Sequence, residues 1–334
     1  MAQRAGTSTG RREFTRSTEP FRRELLAHCY RMLGSVDDAE DLVQETYLRA
    51  WRSFGSFEGR SSLRTWLYQI ASNACLTALQ QRSRRPLPSG LGAPDEDSAA
   101  PAAAARSDVP WLQPIPDALV RAERGDPAAI AVSRESLRLA LIASFQYLPP
   151  RQRAVLLLRD VLAFPAAEVA EMLGTTTAAV KSALQRARGR LEEVAPAADQ
   201  VAEPPEPEAR ALLDQYIRAF ETSDAASLKQ LLRRDATLEL PPSPAWFAGG
   251  RAIAEAARGL GSPGDWRMLP VAANGQRAAA AYHREPDGSY RAYAIVVLTA
   301  TATGIARLVV FADPGLFRWF GLQQIYRRPG QRES

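Results

Sequence analysis

Eight prolines fall between residues 86 and 133, around a dense alanine tract from Ala99 to Ala105. Proline has no amide hydrogen and a fixed φ, so no single helix or strand can run through such a stretch. A second stretch, residues 195–208, holds four prolines and four acidic residues and reads as an extended linker. The chain therefore breaks into blocks: 14–85, 134–193 and 209–325, joined by a Pro/Ala-rich linker over 86–133 and an acidic, Pro-rich one over 195–208. At 334 residues, two or three domains are expected.

The first block is helical. Phe21, Leu25, Leu26, Cys29, Tyr30 and Leu33 recur at spacings of three and four, and Gly34-Ser35 ends that helix. Asp37 or Asp38 can cap the next, which turns Ala39, Leu42, Val43, Thr46, Tyr47 and Ala50 inward. Its outer side is acidic: Asp37, Asp38, Glu40, Asp41 and Glu45 lie within nine residues, with no base before Arg49. Acids in a first turn answer the helix dipole, which accounts for Asp37 and Asp38 but not for Glu45 two turns on. Asp38, Asp41 and Glu45 share one face, where like charges repel, so the face suits an arginine-bearing partner. Next comes a Gly-flanked loop, SFEGRSS. Ser61 or Ser62 caps a third helix with Leu63, Trp66, Leu67, Ile70, Ala74, Cys75 and Leu79 on its apolar side. Arg82, Arg84 and Arg85 follow it.

The second block carries the sharpest local signal. Val169, Ala170 and Leu173 line one short helix, Gly174 supplies a left-handed turn, Thr176 can cap the next helix, and Val180, Ala183, Leu184, Ala187 and Leu191 face back. The opposite face shows Lys181, Ser182, Gln185, Arg186 and Arg188, with no acid between Thr175 and Arg190. A basic face can simply be solvated. Joined to a tight glycine turn and a cap, it reads as a helix-turn-helix whose second helix enters the major groove. Thr177, Ala178, Lys181, Ser182 and Gln185 are then within reach of bases, and Arg186, Arg188 and Arg190 of phosphates.

The third block mixes types. A helix carries Leu212, Leu213, Tyr216, Ile217 and Phe220; Asp224 can cap a shorter one with Leu228, Leu231 and Leu232. After Pro241 the pattern changes, and 278–283, 290–301 and 305–311 read as strands, which makes an α+β domain.

Composition bounds the chemistry. Two histidines and two cysteines leave no material for a His-rich metal site, a multi-histidine catalytic centre or a disulfide framework. No catalytic residues, metal or cofactor are expected. No apolar run reaches membrane-spanning length and no secretory signal is present, so a cytoplasmic protein is expected. Of 42 basic residues only Lys181 and Lys229 are lysine, and the net charge is +5. Arginine abundance of this kind also follows from GC-rich coding, so the placement of charge matters more than its amount.

DDAEDLVQETYLRAW, then RSSLRTWLYQIASN with its trailing arginines, closely resembles the second conserved region of extracytoplasmic-function (group IV) sigma factors. LPPRQRAVLLLRDVLAFPAAEVAEMLGTTTAAVKSALQRARGRL resembles their fourth region. YIRAFETSDAASLKQLLRRDATLELPPSPAWFAGGRAIAEA and IARLVVFADPGLFRWFGL resemble SnoaL-type, NTF2-like domains, and WLQPIPDALV at 111–120 fits the subgroup that carries such a fused domain. The resemblance implies a multi-domain chain: two all-α sigma domains and a C-terminal α+β NTF2-like cone. It implies a sigma factor that binds RNA polymerase core and directs promoter-specific initiation, regulated in cis by the last domain through contacts with the sigma regions. Asp38, Asp41, Leu42, Gln44 and Glu45 would dock on the β′ clamp helices, with the β flap as a further contact. Phe57, Arg60, Ser61, Ser62 and Arg64 would read the −10 element around a flipped base. Asn73 would face DNA there or be merely a polar helix residue. Thr177, Ala178, Lys181, Ser182, Gln185, Arg186 and Arg188 would meet the −35 element. Trp66 is expected in the core. Two alternatives stand beside this: a ligand-sensing helix-turn-helix regulator that works without polymerase, and an NTF2-like isomerase or cyclase with a DNA-binding appendage. The enzyme reading would draw on Asp214, Tyr216, Glu239 and His283.

Overall fold

The computed structural model describes residues 2–81, 83–95, 106, 108–120, 135–194, 204–257, 259 and 261–327. The chain divides into two compact units, one from 1–84 with 119–195 and the other from 85–118 with 196–334.

The first unit is all helix: α1 (Ala2–Thr18), α2 (Arg22–Leu33), α3 (Val36–Ser53), α4 (Leu63–Leu79), α5 (Leu139–Phe145), α6 (Pro150–Leu156), α7 (Ala166–Met172) and α8 (Thr177–Val194). α2 stops where Gly34 turns left-handed at φ 70°. The cap of α3 is not Asp37 or Asp38. Ser35 adopts the extended conformation just before the helix, and its side chain accepts the Asp38 amide. A residue already inside the first turn cannot reach back that way. Ser62 caps α4 by accepting the Thr65 amide. α1 lies ahead of the first block's expected helices; its Phe14 meets Tyr47, Trp51 and Phe54 edge-on at 5.1–6.1 Å.

The core of this unit holds more than apolar side chains. Arg153 on α6 is 3% exposed, and its guanidinium donates to Met32 O, Gln146 Oε1, Gln146 O and Leu148 O. Arg31 is 1% exposed and donates to Ser136 Oγ at 3.0 Å. Burial lowers both guanidinium pKa values to about 10. Oxygen acceptors, carbonyls around Arg153 and the Ser136 hydroxyl at Arg31, stand in for the water that a buried cation loses.

The second unit is the expected α+β domain. α9 (Glu206–Glu221), α10 (Ala225–Leu231) and α11 (Gly250–Ala257) go with a mixed sheet in the order β2-β1-β6-β5-β4-β3. The strands are β1 (Leu232–Glu239), β2 (Trp246–Ala248), β3 (Trp266–Ala273), β4 (Gln276–Arg284), β5 (Tyr290–Thr301) and β6 (Gly304–Phe311); β7 (Ile325–Tyr326) pairs β5. Only β1 and β6 run parallel. The sheet thus begins at Leu232, before Pro241, where the sequence suggests a helix. Arg233, Arg234 and Asp235 interrupt the apolar alternation that would have marked the strand. Leu213, Tyr216, Phe247, Trp266, Met268, Val296 and Leu308 join in one core between helices and sheet.

The described parts of the Pro/Ala-rich segment, 85–95, 106 and 108–118, are built into this unit. Near the β2–β1 edge, Ser89 N donates to Glu239 Oε2 (3.0 Å), Trp246 Nε1 to Gly92 O (3.0 Å) and Asp95 N to Trp246 O (2.8 Å). At the β3–β4 turn, Ile115 N donates to Asn274 Oδ1 (3.0 Å), Asn274 N to Ile115 O (2.9 Å) and Gly275 N to Asp117 Oδ1 (2.7 Å). Leu87, Leu112 and Ile115 are buried along this strap. Proline-rich backbone needs partners other than its own ladder, and the sheet's two ends provide them. Residues 96–105, 107 and 121–133 of the expected linker lie outside the described residues.

Candidate nucleic-acid and polymerase interface

On α3 the core face carries Val36, Ala39, Val43, Thr46 and Ala50, all buried. The opposite side presents Asp41 and Gln44 exposed, with Asp38, Leu42 and Glu45 half-buried. Glu45 pairs with Arg49 at 2.7 Å, and Glu40 pairs with Arg22. Leu48, at 52% exposure, sits one turn beyond Gln44 beside the acids, and Trp51 is 38% exposed. Sequence reasoning passed over Leu48 because one leucine among polar neighbours carries no periodicity of its own. An apolar knob set in an acidic, solvent-facing stripe is suited to a partner that brings both arginine and an apolar groove.

The loop before α4 is shaped by Gly59, whose φ of 69° favours glycine. Phe57 is half-buried and stacks on Trp66 with ring centres 4.8 Å apart. Trp66 is therefore not a core residue but the partner of the loop aromatic. Arg60 is exposed and pairs with Glu58 at 2.8 Å. Ser61 and Ser62 lie at the rim, and Ser62 is used by its own helix as cap.

Further along α4 the expected DNA contacts have other partners. Arg64 pairs with Glu24 at 3.0 Å, and its guanidinium lies 4.6 Å from the Phe164 ring centre and 5.0 Å from that of Tyr68. Thr65 Oγ1 donates to Glu168 Oε2 at 3.0 Å, and Asn73 Nδ2 donates to Met172 O at 3.1 Å. Behind them His28 Nε2 meets Ser72 Oγ at 3.0 Å, and Nδ1 finds no partner among the described residues. Complete burial, with Arg31 and Arg64 nearby, lowers the His28 pKa to about 3, so the imidazole stays neutral.

The helix-turn-helix is laid out as its residue pattern implies. Gly174 has φ 59°, and Thr176 Oγ1 accepts the Ala179 amide at 3.2 Å. Val180 and Ala187 are buried; Ala183 and Leu184 are half-buried. Thr177, Ala178, Lys181, Ser182, Gln185 and Arg186 are all exposed on α8. Arg188 is exposed too, but is held by Asp160 through two bonds of 2.7 and 2.9 Å, and Arg190 pairs with Glu193 at 2.7 Å.

In the second unit the four residues of the enzyme reading lie in different surroundings. Tyr216 is buried on α9 in the core, where burial raises its pKa. Asp214 is half-buried on the same helix. Glu239 is fully buried, yet it lies between Leu238 and Leu240, which pack on the helix-side core, so strand alternation turns it away from the helices. It faces the strap and Arg307, 3.6 Å away. His283 lies against the Trp266 ring, 4.8 Å between centres. Among the described residues, no helix is long and apolar enough to cross a membrane.

Comparison with known proteins places two family models on the first unit: sigma-70 region 2 over 18–85 and sigma-70 region 4 over 138–191. The ECF RNA polymerase sigma factor SigG of Mycobacterium tuberculosis is 51% identical over 316 residues, spanning 93% of this chain and 84% of the relative. SigJ of the same species is 31% identical over 221 residues, 66% of this chain and 62% of that one. A crystal structure of M. tuberculosis SigJ superposes with a TM-score of 0.58 at 24% identity, covering 91% of this chain and 98% of that one.

Proposed function

Because the chain belongs to the extracytoplasmic-function RNA polymerase sigma factors, we propose specific surfaces for its two obligatory partners, polymerase core and promoter DNA. The protein is a promoter-specificity subunit of RNA polymerase. The α3 face formed by Asp38, Asp41, Leu42, Gln44 and Glu45, extended by Leu48, docks on the β′ clamp helices. The loop with Phe57, Arg60, Ser61 and Ser62, together with Arg64 and Asn73 on α4, reads the −10 element. Thr177, Ala178, Lys181, Ser182, Gln185 and Arg186 on α8 meet the −35 element, and Arg188 reaches phosphate there.

The observation that carries this reading is the exposed face of α8, seated on a left-handed glycine turn and backed by a buried apolar side. That is the geometry of a recognition helix, and its N-terminal half is the part that enters a groove. Regulation in cis is supported by the strap, because the segment that joins regions 2 and 4 is bonded to the NTF2-like sheet at both ends. A domain that holds this segment controls how far the two sigma regions can part.

Run-off transcription with mycobacterial core enzyme on a genomic promoter library tests the reading. The full chain should give discrete starts, and Asp41→Lys with Leu48→Asp should abolish them together with co-elution with core. Asp117→Ala with Asn274→Gly, which releases one end of the strap, should change the yield without moving the starts. Absence of promoter-dependent starts from the full chain would overturn the assignment. An unchanged yield would overturn regulation through the strap alone.

A further inference from the structure

The connection from α6 to α7 is more elaborate than a turn between two helices requires. α6 passes into a π turn, Leu157–Val161. Leu162 N donates to Leu157 O at 3.0 Å and Phe164 N to Leu158 O at 2.9 Å. Ala163, which has a Cβ, sits in the left-handed region at φ 57°. Arg159 Nη1 reaches round to Phe164 O. Left-handed alanine is unfavourable and persists only where surrounding bonds impose it; such strain and π turns both gather at switch and functional segments. The product of this loop is the placement of one side chain. Phe164 is 4% exposed, edge-on to Tyr68 at 5.2 Å and under the Arg64 guanidinium.

The same loop delivers α7 along α4. Glu168 accepts a hydrogen bond from the Thr65 hydroxyl, and the Met172 carbonyl accepts one from the Asn73 amide. Thr65 and Asn73, two turns apart, lie on the same side of α4. Asn73 and Arg64 are among the groups assigned above to −10 DNA. An amide or guanidinium so engaged has fewer N–H groups left for a base or phosphate, and a carboxylate beside Thr65 repels DNA backbone.

We propose that the loop is a latch: Phe164, seated against Arg64 and Tyr68, holds the first helix of the helix-turn-helix over the DNA-reading side of α4, and −10 recognition requires its release. Region 4 in the free chain is then the inhibitor of region 2, independently of any inhibitor supplied in trans. The inference rests on the assignment of α4 to the −10 element.

Hydroxyl-radical footprinting of the unmodified full chain tests it, read at Phe164 by mass spectrometry, free and in a complex with mycobacterial core enzyme on a promoter fragment taken from the run-off library. The latch requires slow oxidation of Phe164 in the free chain and a rate at least five-fold higher in the promoter complex. Rapid oxidation in the free chain overturns it, as does an unchanged rate in a complex that initiates transcription; in that case the sigma assignment stands. If no initiating complex forms at all, the assignment falls and takes the latch with it. Phe164→Ala gives a second reading: at limiting core enzyme its run-off yield should exceed wild type at least three-fold, and a folded variant at or below the wild-type yield overturns the latch. Should the variant not fold, the footprint decides.

Discussion

The two helices of the first unit that we propose to meet DNA are presented in opposite ways. α8 leaves Thr177, Ala178, Lys181, Ser182, Gln185 and Arg186 in solvent. On α4, Arg64, Thr65 and Asn73 are each engaged by residues of α2 or of the α6–α7 segment. One reader is ready and the other is occupied. The difference follows from what each must recognise. A groove reader accepts intact duplex and loses nothing by being open. A surface proposed to hold an extruded base presents polar groups such as Arg64 and Asn73, and in the free protein these have protein partners.

The largest expected effect bears on the covered side. Phe164→Ala removes a buried ring from the α4 contact and should destabilise the first unit by about 3 kcal/mol, the lower end for such a truncation in a core. The measurement is hydrogen exchange at α4 and α7 amides, since two compact units make a single unfolding midpoint ambiguous. Equal exchange in the variant would mean that the contact does no stabilising. Next comes pH. His28 has its pKa lowered to about 3 by burial, against an ordinary value of 6.5. The unfolded chain takes up a proton below pH 6.5 while the folded one does not, so the stability is full above that pH and is lost as the pH falls towards 3. The slope is at most about 1.4 kcal/mol per pH unit for one proton. Protection of α2 and α4 amides should therefore decline between pH 6.5 and 4.5. His28→Gln should flatten that decline by one proton, and an unaltered slope would place the titration elsewhere.

How much of this could be read from residues alone differs between the same two helices. The recognition helix was legible because Gly174, Thr176 and the Val180–Leu191 stripe are local, and each constrains the backbone within a few residues. The loop proposed for the −10 element was reached only through a resemblance, with its glycines in support. Its partners were not legible: Glu24, Phe164, Glu168 and Met172 are separated from α4 by up to about a hundred residues, and no periodicity links them. Trp66 illustrates the limit. Its spacing fits the apolar side of α4, yet it is half-buried on Phe57. The strap was read as a linker for a sound reason, since prolines forbid regular structure. Lack of regular structure does not mean lack of partners, and Asn274 and Glu239 supply them from far along the chain.

On the open side the effects are smaller and electrostatic. Lys181→Ala should weaken binding to duplex DNA about equally for all sequences and reduce the slope of log affinity against log salt by about 1. Gln185→Ala should instead cost about 1–3 kcal/mol at one base position and leave the salt slope unchanged. Fluorescence anisotropy over a salt series with labelled duplexes separates the two. If Lys181→Ala altered sequence preference and Gln185→Ala did not, the roles along α8 would have to be exchanged.

The smallest effect concerns Arg188, a cation of the α8 basic face that is held from the π turn. Asp160, from the π turn, grips Arg188 through two bonds, yet Arg188 keeps 58% of its side chain exposed. Exposed pairs contribute little to folding, so any effect of this pair bears mainly on how the guanidinium is aimed or masked. A carboxylate next to an arginine on a DNA-facing helix subtracts from its attraction for phosphate, and the two retained bonds leave only part of the fork for another anion. Asp160→Asn should therefore raise duplex affinity by about three-fold at low salt and steepen the salt slope, while Arg188→Ala lowers both. A fall in affinity for Asp160→Asn would show that aiming outweighs neutralisation. The open reader would then share, at one residue, the restraint that covers the whole of the other.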